Sequence, residues 1–441
     1  METHPVLWVH ATIDKMTNAL RTDSAAISCD VLVVGGGAAG VAAAAAAGSA
    51  GAQVVLLERY GFLGGLATVA EVGTICGLYQ RDMTNPEPLP VAGGFAREFA
   101  SRLQHTAGCR PLRLENGLWV LPFPIPAFAR VADAVIRESG NVTVVLHATV
   151  SEAQAEGACL VQARALAWNQ PLAVRPRTVV DCSGEATAAA LAGAGVESGI
   201  ADQVPSLVFV MENIDPALVE RGLLEVRREL RRAVEEGKLP AACERLALVP
   251  GMDRNSRLAL KLNLTVTESD RPLWQQVTDW ECAARALVDE LQRFLVKNIA
   301  ACRNAHLSSV APQLGIRSGR RIQGRARLAD GDVLSARKFP AGIARGAWPM
   351  ERWGNGPRPE MTFFSERDYY EIPLDCLRPA GLDNVLAAGR CLSAEAGAMT
   401  SARVIGTALA TGWAAGTVAA FQALGRPLDA AVETIRQQMN S

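Results

Sequence analysis

The chain has 441 residues, 49% hydrophobic and 20% charged, with a formal net charge of −1. That length supplies an ample core for two or three domains, and the near-neutral balance excludes a global electrostatic pull on nucleic acid. Ten cysteines without a CxxC pair and five scattered histidines argue against a disulfide framework, a dithiol centre and a zinc site, and in favour of a cytoplasmic protein with reduced, buried thiols.

Residues 1–27 lack the basic-then-apolar pattern of a signal peptide and are read as an N-terminal extension. Residues 29–34 form a short apolar run ending in glycines, which predicts a buried parallel strand. Residues 38–49 are almost all alanine and predict a helix; residues 53–57 predict a second strand. Helical periodicity follows over 126–139, β formers over 141–150, and paired strands over 159–168 and 172–181 about an Asn-Gln-Pro turn. From Leu207 the texture changes. Strands are predicted over 206–213 and 257–269, amphipathic helices over 217–237 and 280–304, and a loop over 348–360. Residues 384–389 repeat the first strand type. The Ala/Gly-rich stretch 404–423 then reads as a buried helix, not a membrane span. The expected fold is α/β: a discontinuous Rossmann-like domain over 28–80, 125–205 and 371–425, with an α+β substrate or cap region over 81–124 and 206–370.

The first strand leads into Gly35, Gly37 and Gly40 in G-x-G-x-x-G spacing. Gly35 permits a tight turn, Gly37 lets a pyrophosphate approach the backbone, and Gly40 lets the helix pack closely on the sheet. The helix N-terminus supplies free N–H groups and partial positive charge for phosphates. Glu58 ends the second strand, where an acid binds ribose hydroxyls. Strand, loop, helix and acid together predict a bound dinucleotide. A second glycine pair, Gly64 and Gly65, follows in "ERYGFLGGLAT".

Four motifs carry a family resemblance. Arg59, Gly61, Leu63, Gly64, Gly65, Ala67 and Thr68 follow an R-x-G-x-L-G-G-x-A-T pattern. Asp181, Gly184 and Glu185 answer a D-A-T-G-D-like motif, with Cys182 and Ser183 replacing Ala and Thr. "GIRSGRRIQG" (315–324) and "GLDNVLAAGRCLSAEAGAMTSARVIGTALATGWAAG" (381–416) are the more specific two. With these motifs the chain resembles the two-dinucleotide-binding-domain flavoproteins. Within them it is similar to the FAD-dependent oxidoreductase family, with more distant likeness to fumarate reductase flavoproteins and GidA-type tRNA-modifying proteins. Residues 205–305 match no motif of the family.

The resemblance implies FAD as cofactor, contacted by Gly35, Gly37, Ala38, Ala39, Gly40, Glu58, Arg59, Gly64, Gly65, Ala67 and Thr68. It also implies that Val150, at the end of its strand, meets adenine through its backbone and that Gly184 passes the pyrophosphate. Gly389 and Arg390 are placed by the ribityl chain. A helix starting near Ala402 would aim its N-terminus at the flavin, favouring the anionic reduced ring.

For chemistry, the basic segment offers Arg317 and Arg320 as carboxylate or phosphate anchors, against the plainer reading of a solvated basic face. Glu395 is read either as a base or as a helix-capping acid. The departure to "WPMERW", where the family often has His or Asp, leaves an inherited proton-transfer role there in doubt. Tyr369 and Tyr370 line the flavin or pack the core, and Cys391 lies near flavin or is simply buried. The expected activity is oxidation or desaturation of a small polar, carboxylate-bearing metabolite by hydride transfer to flavin N5. A flavin monooxygenase or ene-type reductase, and a non-catalytic or RNA-modifying flavoprotein, are the alternatives. The implied partners are a small-molecule substrate and an electron acceptor, oxygen or a redox partner; a homo-oligomer is compatible with the sequence.

Overall fold

The computed structural model describes residues 26–199, 203–221, 223–252, 256–266, 269–354 and 356–441. All but the last two residues of the N-terminal extension expected over 1–27 lie outside the described residues, and Ile27 already belongs to the first strand.

Strand β1 (Ile27–Val34) leads into helix α1 (Ala38–Ser49) and strand β2 (Val54–Leu57). Val31, Leu32 and Val33 are fully buried, because β1 is covered on both faces. Helix α2 (Ile125–Glu138) buries an apolar stripe that includes Phe128, Val131 and Val135, and delivers the chain to β3 (Val142–Val145). The stretch expected as one β segment over 141–150 is divided at His147, whose φ is +54°. Val150 is therefore the third residue of β4 (Ala148–Glu156), not the end of a strand. Strands β5 (Cys159–Ala167) and β6 (Gln170–Asp181) follow. The first half of β6 pairs antiparallel with β5, and the strand also runs parallel beside β1, from Ile27↔Val174 to Val34↔Asp181.

The cap holds a four-stranded antiparallel sheet in which β7 (Ser206–Glu212) and β9 (Leu258–Asn263) are central, with β8 (Leu246–Leu248) and β10 (His306–Val310) at the edges. The helix expected over 217–237 is two: Pro216–Arg221, then α3 (Leu224–Glu235). The helix expected over 280–304 begins earlier. Pro272, its N-cap, starts α4 (Leu273–Asn298). The expected loop 348–360 contains β11 (Met350–Arg352), which pairs with β12 (Glu360–Thr362). Three-residue strands are too short to show alternation.

The chain returns as β13 (Val385–Ala387), parallel to the end of β6, completing a seven-stranded sheet in the order β3-β2-β1-β6-β5-β4 with β13 also on β6. This is a Rossmann-like α/β fold. Two helices follow, α5 (Ala396–Ala402) and α6 (Ile405–Ala423), at 91° to each other. Ala402 is thus the last residue of α5. No helix starts there, because Val404 takes an extended conformation (φ −68°, ψ 156°) and caps α6 instead. Among the described residues no single helix is long and apolar enough to cross a membrane.

Helix α6 lies directly on α1. A Cβ built on Gly412 would stand 2.1 Å from the Ala39 carbonyl oxygen, and one on Gly416 would stand 2.1 Å from that of Ala43. The alanine and glycine composition of both helices is what permits this approach. Gly416→Ala is expected to lower stability by at least roughly 1–3 kcal/mol through overpacking against fixed backbone, measured by urea unfolding. Gly331→Ala, with no atom within 4 Å of its Cβ, is the matched control and leaves the midpoint unchanged or slightly raised.

Candidate functional site

The turn after β1 is built for glycine. Gly35 has φ +95°, and a Cβ there would lie 2.6 Å from the Cys182 carbonyl oxygen. A Cβ on Gly40 would lie 1.7 Å from the Gly35 carbonyl oxygen, so α1 closes tightly on its own loop. Gly37 differs: its nearest neighbour is the Gly65 Cα at 3.8 Å, leaving its outer side open. The second glycine pair buttresses the first. The Gly64 N–H donates to the Gly36 carbonyl at 2.8 Å, and Gly64 and Gly65 have φ of +109° and +55°. No side chain caps the N-terminus of α1, so its first N–H groups remain available.

Glu58 is buried at the end of β2. Its Oε2 accepts the Gly36 N–H at 2.5 Å and its Oε1 accepts the Tyr60 N–H at 2.8 Å. Burial raises its carboxyl above the usual range, opposed by these two N–H groups.

This loop opens onto a cavity of about 880 Å³ that continues to the cap sheet. Of the residues expected at the cofactor, Gly35, Gly37, Ala38, Ala39, Glu58, Arg59, Gly64, Gly65, Ala67, Val150, Gly184, Gly389 and Arg390 line it. Three do not. Gly40 is buried beneath the loop, the Thr68 hydroxyl donates to the Gly65 carbonyl at 2.8 Å behind it, and Ala402 is buried at the end of α5. The helix end that reaches the cavity is that of α6, through Val404 and Ile405. The open Gly37 edge, the uncapped α1 and the adjoining cavity fit a dinucleotide cofactor.

At the cap end Arg317 lines the cavity. Its Nη1 donates to the Val204 carbonyl and its Nη2 to Asn263 Oδ1, both at 2.6 Å, and its guanidinium lies 5.3 Å from the Trp353 ring centroid. Burial, then the nearby Arg403, lower its pKa to about 10. Arg320 does not join it. The Arg320 N–H donates to Glu185 Oε2, and the residue is not on the cavity wall; its segment forms no helix. Arg325 and Arg327 pair with Asp383 and Glu197 at 2.6 and 2.9 Å. Glu395 is also away from the cavity. It starts α5, and its Oε2 accepts the Asp330 N–H at 2.7 Å, so it caps a neighbouring helix.

Neither tyrosine lines the cavity. Tyr370 is core, its hydroxyl 2.8 Å from Ser401 Oγ, and Tyr369 stacks under Arg345 and Lys338. Cys391 is buried, its sulfur accepting the Gly184 N–H at 3.1 Å.

Among the charged residues on the cavity wall that were not singled out from sequence are Lys261, Glu351 and Arg403. Glu351 pairs with Arg403 at 2.9 Å and accepts the Trp348 indole N–H at 2.9 Å. Burial opposes its ionisation, but Arg403 and Arg317 prevail and hold its carboxyl below the usual range. The signals were present. Lys261 is the one charge inside "LALKLNL", Arg403 interrupts an apolar run, and Glu351 sits between two tryptophans. Nearer the mouth, Arg227, Arg231 and Arg358 add positive charge and Glu244 negative.

Comparison with known proteins yields one family model, described as FAD dependent oxidoreductase, which matches residues 30–436. No curated protein matches the sequence. Similar solved structures include a geranylgeranyl bacteriochlorophyll reductase-like protein from Thermoplasma acidophilum, 12% identical over 94% of this chain and 84% of that one, with a TM-score of 0.46. The flavin-dependent brominase Bmp2 is 13% identical over 93% of this chain and 83% of that one, at 0.45. The OxyS anhydrotetracycline hydroxylase from Streptomyces rimosus is 13% identical over 93% of this chain and 65% of that one, at 0.45.

Because Gly37 has room for a side chain in the folded protein, Gly37→Val is expected to fold normally yet fill the phosphate approach. The variant should purify with little or no flavin absorbance while its urea-unfolding midpoint matches that of wild type stripped of flavin.

Proposed function

The chain belongs to the FAD-dependent oxidoreductase family, and on that premise we propose that it oxidises a small, carboxylate-bearing metabolite held at the cap end of the cavity. The carrying observation is the charge gathered there: Lys261, Arg317 and Arg403 surround Glu351, whose carboxylate is already paired with Arg403. Cationic side chains gathered on one wall suit a ligand that carries negative charge on acceptor oxygens.

FAD, when bound along the glycine loops, supplies the two-electron redox chemistry. The protein's own residues bind and orient. Arg317 cannot swing freely, because Val204, Asn263 and Trp353 fix its plane, so its charge and remaining N–H groups are pre-aimed. Arg403 is fixed in the same way by Glu351. The mouth arginines Arg227, Arg231 and Arg358 raise the local concentration of anions. The cysteine usage accords with work in a reducing compartment.

Anaerobic bleaching of the bound flavin by a panel of small hydroxy, amino and saturated carboxylates tests this reading, with the corresponding methyl esters as partners. The expected result is bleaching by an acid and not by its ester. Arg317→Lys keeps charge but loses the fork, and should slow that bleaching by an order of magnitude or more without altering the flavin spectrum. Equal bleaching by acid and ester, or a normal rate in Arg317→Lys, removes the carboxylate from the proposal.

A further inference from the structure

Lys261 lies on β9, a central strand of the cap sheet, between Leu260 and Leu262, which are both buried in the cap core. The alternation of a strand therefore turns Lys261 to the opposite face, which is the cavity wall. Its ammonium has no hydrogen-bond or ion-pair partner among the described residues. The ionisable groups around it come from four places: Arg317 from the segment after β10, Arg403 from the α5–α6 junction, Glu351 from β11, and Cys76.

These neighbours differ in what they can do with a proton. The two guanidiniums stay charged. Glu351 is committed to Arg403 and to the Trp348 indole, and remains ionised. Burial pushes the Cys76 thiol up to about 12. Lys261 is left as the member of this group that exchanges a proton near neutrality. Burial and then Arg317 bring its ammonium down to about 8, only partly offset by Glu351 and Cys76. About a tenth of it is then neutral amine at pH 7.

Resting on the function proposed above, we propose that Lys261 is the proton acceptor of this site and that its substrate is a hydroxy- or amino-carboxylate. In the step, the O–H bond of a hydroxyl, or one N–H bond of an ammonium group, borne by the carbon to be oxidised breaks. The proton passes to the lone pair of Lys261 Nζ, forming an ammonium, and the electron pair of the broken bond stays on the substrate oxygen or nitrogen. Nothing is oxidised in this step; the two-electron oxidation belongs to the family's cofactor. The ammonium then returns its proton to solvent after product leaves. A neutral amine of this basicity serves an O–H or N–H and not an unactivated C–H, which selects against saturated acids. The division of labour follows: fixed arginines hold the carboxylate, and the unpartnered lysine moves the proton.

Two measurements test this on the full-length holoprotein. Competitive acylation with acetic anhydride across pH 6–11, read by peptide mass spectrometry, needs no substrate. Lys261 should acylate with a midpoint near 8, below that of an unstructured lysine-containing peptide added to the same reaction. A Lys261 midpoint coinciding with that of the peptide, or no acylation at any pH, overturns the proposal. The second measurement uses the acid found by the bleaching panel. In wild type the limiting rate of flavin reduction should rise through pH 8. Lys261→Arg, which keeps the charge, should lose that rise and fall by about 10²-fold or more with an unchanged flavin spectrum. A variant that retains the rise also overturns it. Failure of every carboxylate in the panel counts against the carboxylate reading alone, since the acylation midpoint still decides the state of Lys261.

Discussion

The contact on which the rest depends is backbone against backbone: α6 seated on α1 with no side chain between them at Gly412 and Gly416. It pins the end of the chain to the first βαβ unit. The same seating sets Gly389 beside Ala39, where an added Cβ would be 3.0 Å from the alanine methyl. It also fixes the start of α6, and with it Arg403, on the cavity wall. The cavity wall thus joins stretches far apart in sequence, among them the first glycine loop, the cap strands and the segment that leads into α6.

The two ends of that cavity are made differently. At the glycine loops the wall is mainly backbone, and the acid Glu58 already accepts two backbone N–H groups. The loop is therefore organised by its own hydrogen bonds. At the cap end the wall is side-chain charge, and Asn263 joins it to the cap sheet. Its Oδ1 accepts from Arg317 while its Nδ2 donates to the Arg245 carbonyl at 2.9 Å. A shift of the cap sheet would carry Arg317 with it.

What could be read from sequence was what depends on neighbours in the chain. The β1–loop–α1 unit, Glu58 at the end of β2 and the returning strand β13 follow from glycine spacing, alanine content and apolar runs. What depends on distant contacts was hidden. Nothing local shows that Lys261, Glu351 and Arg403 converge, since they lie on a strand, a hairpin and a helix junction. The end of α5 at Ala402 is hidden because neither glycine nor proline stands at the 91° break, where Arg403 and Val404 join the two helices. Arg320 and Glu395 sit within recognisable motifs, yet one meets Glu185 through its backbone and the other caps a helix. A motif locates a segment; it does not say which of its side chains turns inward.

Two of the thiols described above, Cys76 and Cys182, lie on the cavity wall itself. Burial, reinforced by Glu351 at the first and by Cys391 and Asp181 at the second, keeps both protonated. Peroxides and alkylating agents attack thiolates, not thiols. The burial that encloses the pocket thus holds both wall sulfurs in the thiol form, the less nucleophilic of their two states.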